Sequence, residues 1–97
     1  RDLLERIAHQ FIDLHVLQME AIRKAVSDGQ SGALEMAAHT FKGTVGNFEA
    51  RDAMAAALEL ERMGRAGDLT GASPALRTLE GEVERMLRDV RLLVETT

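Results

Sequence analysis

One histidine, one lysine and two glycines stand together in the stretch Ala37-Ala38-His39-Thr40-Phe41-Lys42-Gly43-Thr44-Val45-Gly46-Asn47-Phe48. A neutral imidazole is a nucleophile that can carry a phosphoryl group as a covalent intermediate. An ammonium group one helical turn away can stabilise phosphoryl oxygens while charge moves between donor and acceptor. His39 and Lys42 have the i, i+3 spacing that puts them in those places.

Helical geometry sorts this stretch into two sides. Successive residues of an α-helix are about 100° apart. With Leu34 at the centre of a face, Ala37, Ala38, Phe41, Val45 and Phe48 fall within about 60° of it. His39 lies about 140° from that centre, Gly43 about 180°, Gly46 about 120° and Lys42 about 80°. His39 is therefore off the apolar face, which weakens its reading as a core histidine. Gly43 and Gly46 follow it at i+4 and i+7. Each glycine in a helix costs about 1 kcal/mol relative to alanine. Their presence fits a shallow dent through which a bulky partner reaches the imidazole. The plainer readings are an ordinary surface histidine, a lysine snorkelling at a helix edge and glycines at a tight helix crossing. The angles of the glycines speak against the last of these.

These residues carry a resemblance. His39-Thr40-Phe41-Lys42-Gly43, with Ala38 before it and Gly46, Asn47 and Phe48 after it, resembles the signature of histidine-containing phosphotransfer (HPt) domains. Such domains serve bacterial multistep phosphorelays and hybrid sensor kinases. The succession of long helix, Gly-containing turn, motif helix, Ala-rich helix ending near Gly-Arg, and final amphipathic helix is similar across nearly the whole chain. The resemblance implies that His39 accepts a phosphoryl group from an aspartyl phosphate on a receiver domain and passes it to another response-regulator receiver. Lys42 then steadies the phosphoryl group, and Gly43, Gly46 and Arg65 lie on the docking side. A phosphocarrier with no cofactor of its own is implied, and any Mg²⁺ belongs to the receiver, whose carboxylates can bind it. The parent chain is expected to be a hybrid sensor kinase. One departure stands out: the family often has glycine ten residues after the histidine, and here Glu49 occupies that place. That leaves the shape of the next turn open and adds an acidic group able to discourage some partners.

Glu61 has two readings. Ala50, Ala53, Met54, Ala57 and Gly64 define a face of a third helix, and Glu61 lies on it. A carboxylate on an apolar face needs a partner. Arg65 at i+4 supplies one, which makes a surface pair. Some HPt family members have a polar residue in this region that orients the imidazole. The resemblance therefore implies the second reading, in which Glu61 accepts the His39 Nδ1–H and leaves Nε2 free to attack.

Two rival functions remain. One is the substrate domain of a chemotaxis-type kinase, whose histidine is phosphorylated directly by an ATP-binding kinase domain. Gly46-Asn47-Phe48 is similar to that group as well. The other is a helical binding module that docks a partner without accepting phosphate.

Composition removes several classes. The 97 residues suit one domain, with a net charge of −4 that argues against nucleic acid. There is no cysteine, so disulfides and thiolate metal sites are ruled out. That suits a cytoplasmic protein. The longest apolar run, Ala53 to Leu58, falls far short of the roughly 20 residues of a membrane span. No signal-peptide or P-loop pattern is visible. The chain begins at Arg1, as expected of a piece of a larger protein. His9 and His15 read as structural or solvent-facing. Glu5/His9 and Glu35/His39 have i, i+4 spacing, but two ligands do not make a metal site. A monomer suffices for an exposed-histidine relay domain.

The hydrophobic pattern predicts an all-α, antiparallel up-down four-helix bundle over residues 1–97. The first helix spans about Asp2 to Ser27, with Asp2 as cap. Leu4, Ile7, Phe11 and Leu14 form one stripe, and Ile12, Met19, Ile22 and Val26 a second. Two stripes mean either two neighbours or a bend near Leu14. Gly29 caps the C-terminus in the break Asp28–Gly32. The motif helix runs from Ser31 or Gly32 to Phe48, and Asn47 either ends it or caps the next. The third helix spans Ala50 to Arg65, with Ala53, Ala55, Ala56 and Ala57 allowing close approach and Met54, Leu58 and Leu60 supplying bulk. Gly64–Asp68 makes the second break. The last helix starts at Ser73-Pro74, with Ser73 as cap, and runs to Glu95 on Leu76, Leu79, Val83, Met86, Val90 and Leu93.

Overall fold

The computed structural model describes residues 2–95, except the side chains of Asp2 and Glu95, so the expected Asp2 cap lies outside the described residues. Within that span the chain forms α1 (Asp2–Ser27), α2 (Ser31–Gly46), α3 (Arg51–Ala66) and α4 (Ala72–Glu95). Each helix packs on its two neighbours around the ring, α1 on α2 and α4, α3 on α2 and α4. Neither diagonal pair makes backbone contact among the described residues. This is the up-down bundle that short connections between amphipathic helices dictate.

α1 is one uninterrupted helix, so the bend near Leu14 does not occur. Its buried positions are Ala8, Phe11, Met19, Ile22 and Ala25. Leu4 and Leu14 are 47% and 42% exposed, which corrects the first stripe. Leu4 is on the line of the buried face but close to the start of α1, whereas Leu14 lies about 100° round the helix from the centre of the face that Phe11, Met19 and Ile22 bury. Phe11 is the centre of an aromatic cluster. Its ring centroid lies 6.4 Å from Phe41, 5.3 Å from Phe48 edge-on and 5.6 Å from His15. Such pairs contribute about 0.5–1.5 kcal/mol each beyond area burial. His15 is half-buried there with its Nδ1 2.7 Å from the Ile12 carbonyl, whereas His9 is exposed.

The buried face of α3 is Ala53, Ala56, Ala57, Leu60, Glu61 and Gly64. Ala55 faces solvent and Leu58 is only half-buried, against expectation. The 3–4 spacing of the helix turns Ala55 away once Ala53, Ala56 and Ala57 face inward. On α4, Leu79, Val83, Met86 and Val90 are buried, while Leu93 is 37% exposed.

The three reversals share one device. After α1, Gly29 takes φ +66°; its N–H bonds the Val26 carbonyl and the Gln30 N–H bonds that of Ala25. After α3, Gly67 takes φ +72° with the same pair of bonds, to Gly64 and Met63. Both are Schellman caps, in which a left-handed residue lets the chain satisfy the last carbonyls. After α2 the left-handed residue is Glu49, at φ +52°. α2 ends at Gly46 rather than Phe48, because the N–H groups of Asn47 and Phe48 bond carbonyls three residues back and tighten the last turn. Asn47 ends α2, and Ala50, not Asn47, precedes α3. α4 begins at Ala72, so Ser73 lies inside the helix and is not its cap. The Asp68 carboxylate accepts hydrogen bonds from the Thr70 N–H and hydroxyl, and the Gly71 carbonyl takes the first helical bond from Ala75. That turn launches the helix earlier than Ser73 does.

Candidate functional site

The apolar stripe of α2 fixes which way His39 points. Leu34, Ala38, Phe41 and Val45 are buried against α1 and α3, which rotates His39 outward at the α2/α3 edge. Its side chain is 67% exposed. One turn on, Lys42 is 27% exposed, at the boundary between core and solvent.

Glu61 comes to both of them from α3. Its side chain is 4% exposed, and it is the buried acid of the described residues. The His39 Nδ1 lies 3.0 Å from Oε2. The Lys42 Nζ lies 2.7 Å from Oε1, an ion pair whose angle falls outside that of a directed hydrogen bond. The Arg65 Nη2 donates to Oε2 at 2.9 Å, and the Arg65 Nε donates to the Glu35 Oε2 at 2.8 Å. Both Glu61 pairings weighed from the sequence, to His39 and to Arg65, are therefore present together.

The Lys42 ammonium holds the Glu61 carboxyl below its ordinary range; burial opposes this and His39 assists it. An ionised carboxylate only accepts hydrogen bonds. The Nδ1 that faces it therefore carries a proton, and a neutral ring in this arrangement has its lone pair on Nε2. Glu35 is the main cause that raises the Arg65 guanidinium above its ordinary range.

The glycines differ. A side chain at Gly43 meets nothing within 4 Å, so that flank of His39 is open. Gly46 is half-buried, and a Cβ on it would lie 3.6 Å from the Met54 side chain, so it is less open than its helical angle implies. Arg65 is 61% exposed beside the histidine. A shallow hollow of about 440 Å³ is lined by Glu35, Met36, His39, Thr40, Glu61 and Arg65. A second, apolar one on the α1 side includes Ala33, Met36, Ala37 and Thr40.

The roles of two residues are not readable from the sequence. From the sequence Glu35 reads only as half of a metal pair with His39. Its signal was that spacing, which places it one turn before His39 on the same side of α2. Gly64 reads from the sequence both as part of the third helix's apolar face and as the start of the second break; it is buried inside α3, and its closeness to α2 has no signal in the sequence. Among the described residues, no three His, Asp or Glu side chains come together to hold a metal ion. No helix there is long and apolar enough to cross a membrane.

The model of the family described as "Hpt domain" matches residues 6–91. The chain belongs to the Hpt domain family. No curated protein and no solved structure shows significant similarity to it. Membership makes this Hpt domain a phosphotransfer module of phosphorelay signalling, a phosphocarrier of the kind that works with receiver domains and kinases. The four-helix bundle agrees with that membership.

Proposed function

We propose that His39 of this Hpt domain accepts a phosphoryl group from the aspartyl phosphate of a receiver domain and hands it to a second receiver. The neutral Nε2 attacks phosphorus, the acyl-phosphate P–O bond breaks, and the aspartate carboxylate leaves as the N–P bond forms. Glu61 holds the Nδ1 proton and offsets the positive charge that grows on the ring. Lys42 stands one turn away to meet the phosphoryl oxygens. The same steps in reverse return the group to a receiver.

The observation that carries this reading is the 3.0 Å contact between the His39 Nδ1 and a buried carboxylate. It orients an exposed imidazole with Nε2 as the nucleophilic nitrogen. The open flank at Gly43 and the two hollows meeting at Met36 and Thr40 leave room for a docked partner. We assign Gly43, Gly46 and Arg65 to that docking side.

The test is phosphotransfer from a panel of labelled receiver domains to the wild type and to His39→Gln. Acid-labile, alkali-stable label on the wild type alone establishes a phosphohistidine at residue 39. Label taken from an ATP-binding kinase domain but from no receiver would instead make this a kinase substrate domain. No label from either source would make it a docking module.

A further inference from the structure

Resting on His39 as the acceptor, we propose that Glu35 is a positioning residue for it, acting through Arg65 on the Glu61 oxygen that the imidazole uses.

The four side chains make a ladder of two rungs. Glu35 and His39 are one turn apart on α2, and Glu61 and Arg65 are one turn apart on α3. His39 meets Glu61 at 3.0 Å, and Arg65 meets Glu35 at 2.8 Å. The Arg65–Glu61 contact at 2.9 Å joins the rungs, and it falls on Oε2, the oxygen that accepts from His39. A guanidinium is a planar fork. With its Nε on one carboxylate and its Nη2 on another, both ends of that fork are fixed. With Lys42 on Oε1, the fork on Oε2 narrows the rotation of the Glu61 carboxylate about its last torsion, a torsion that is intrinsically broad. Lys42 holds Oε1 at 2.7 Å, so the two cations together set how the carboxylate faces the imidazole, and Arg65 governs the oxygen that His39 uses.

An exposed Glu–Arg pair contributes little to stability. Its effect here is on direction. Without Glu35, Arg65 keeps a single anchor and swings toward solvent, where 61% of its side chain already lies. Oε2 then loses its fixed line to Nδ1, and the imidazole takes up more of the Nε2–H tautomer, in which the exposed Nε2 has no lone pair to attack phosphorus.

The experiment compares wild type, Glu35→Gln, Arg65→Gln and the double variant in two readouts. One is the His39 tautomer, from the ¹⁵N shifts of the two ring nitrogens above the imidazole titration. The other is the rate of His39 labelling by potassium phosphoramidate. In that reaction the donor P–N bond breaks, ammonia leaves and the Nε2–P bond forms, with no docking surface involved. We expect Glu35→Gln to lower the Nδ1–H population and slow labelling about two- to fivefold. The melting transition should be unchanged, and the double variant should be no worse than Arg65→Gln. An unchanged tautomer in Glu35→Gln, or effects that add in the double variant, overturns the proposal. If the wild type takes no label at all, the acceptor reading fails, while the tautomer comparison still decides whether Glu35 positions the ring.

Discussion

Gly64 of α3 lies against the α2 backbone at Glu35, so closely that a Cβ on it would be 2.5 Å from the Glu35 amide nitrogen and 2.7 Å from the Ser31 carbonyl oxygen. Both neighbours are backbone and cannot rotate aside. This approach lets Glu61, nearly one turn earlier on α3, come under His39. Gly64→Ala should therefore force the two helices apart, at a cost of about 1–3 kcal/mol. Urea unfolding measures the loss. Imidazole ¹⁵N shifts should report a weakened Nδ1–Glu61 contact in the same variant. Wild-type stability in Gly64→Ala would show that the crossing tolerates a methyl group.

Glu49 holds a left-handed backbone, φ +52°, where the other two reversals have glycine. A residue with a Cβ is strained there by about 1–2 kcal/mol. Part of the relief from Glu49→Gly is lost to the greater freedom of glycine in the unfolded chain. The expected net gain is about 0.5–1 kcal/mol, seen as a higher urea midpoint with unchanged slope. A lower midpoint would mean that the Glu49 side chain stabilises the turn by more than the strain.

Glu61 links the site to pH. Lys42, with His39 assisting, keeps its carboxyl below the ordinary value of 4.5 despite burial. Its charged form thus contributes stability that is fully present above about that pH and is lost as pH falls through the lower folded value. Glu61→Gln should be less stable than wild type at neutral pH, and the gap should close in acid. Denaturant midpoints at neutral and acid pH check this, and a gap that widens on acidification contradicts the sign.

Lys42 should act on the transition state in addition to neutralising the buried Glu61 carboxylate. With 27% of its side chain exposed, Lys42→Met keeps the buried stem. It removes the charge beside the imidazole. Phosphotransfer to His39 should fall about 10- to 100-fold, with the helical circular dichroism of the wild type. Transfer within about twofold of wild type would leave Lys42 only its ion pair with Glu61.

How much of this was legible differs element by element. Local chemistry was written in the sequence. The 3–4 periodicity of Leu34, Ala38, Phe41 and Val45 specifies a helix and turns His39 out of the core. Gly29 sits where a left-handed cap is needed, and the motif from His39 to Phe48 marked the family. Ends were less legible: Ser73 and Asn47 are good caps by type, but carbonyl–amide pairing in the turns set the boundaries elsewhere. Leu4 and Leu14 fit a buried stripe, yet they are exposed because the face of α1 that packs is the one carrying Ala8, Phe11, Met19 and Ile22, with Leu4 near the helix start and Leu14 turned off that face. Glu61 was visible as an acid on an apolar face, and its two possible partners could not be ranked. Only the packing of α2 on α3 decided that it serves His39, Lys42 and Arg65 together. That packing depends on a contact between Gly64 and the backbone at Glu35, 29 residues apart in the chain. Periodicity tells each helix which side to bury, but the meeting of particular residues across two helices depends on their relative height and distance, which are tertiary quantities.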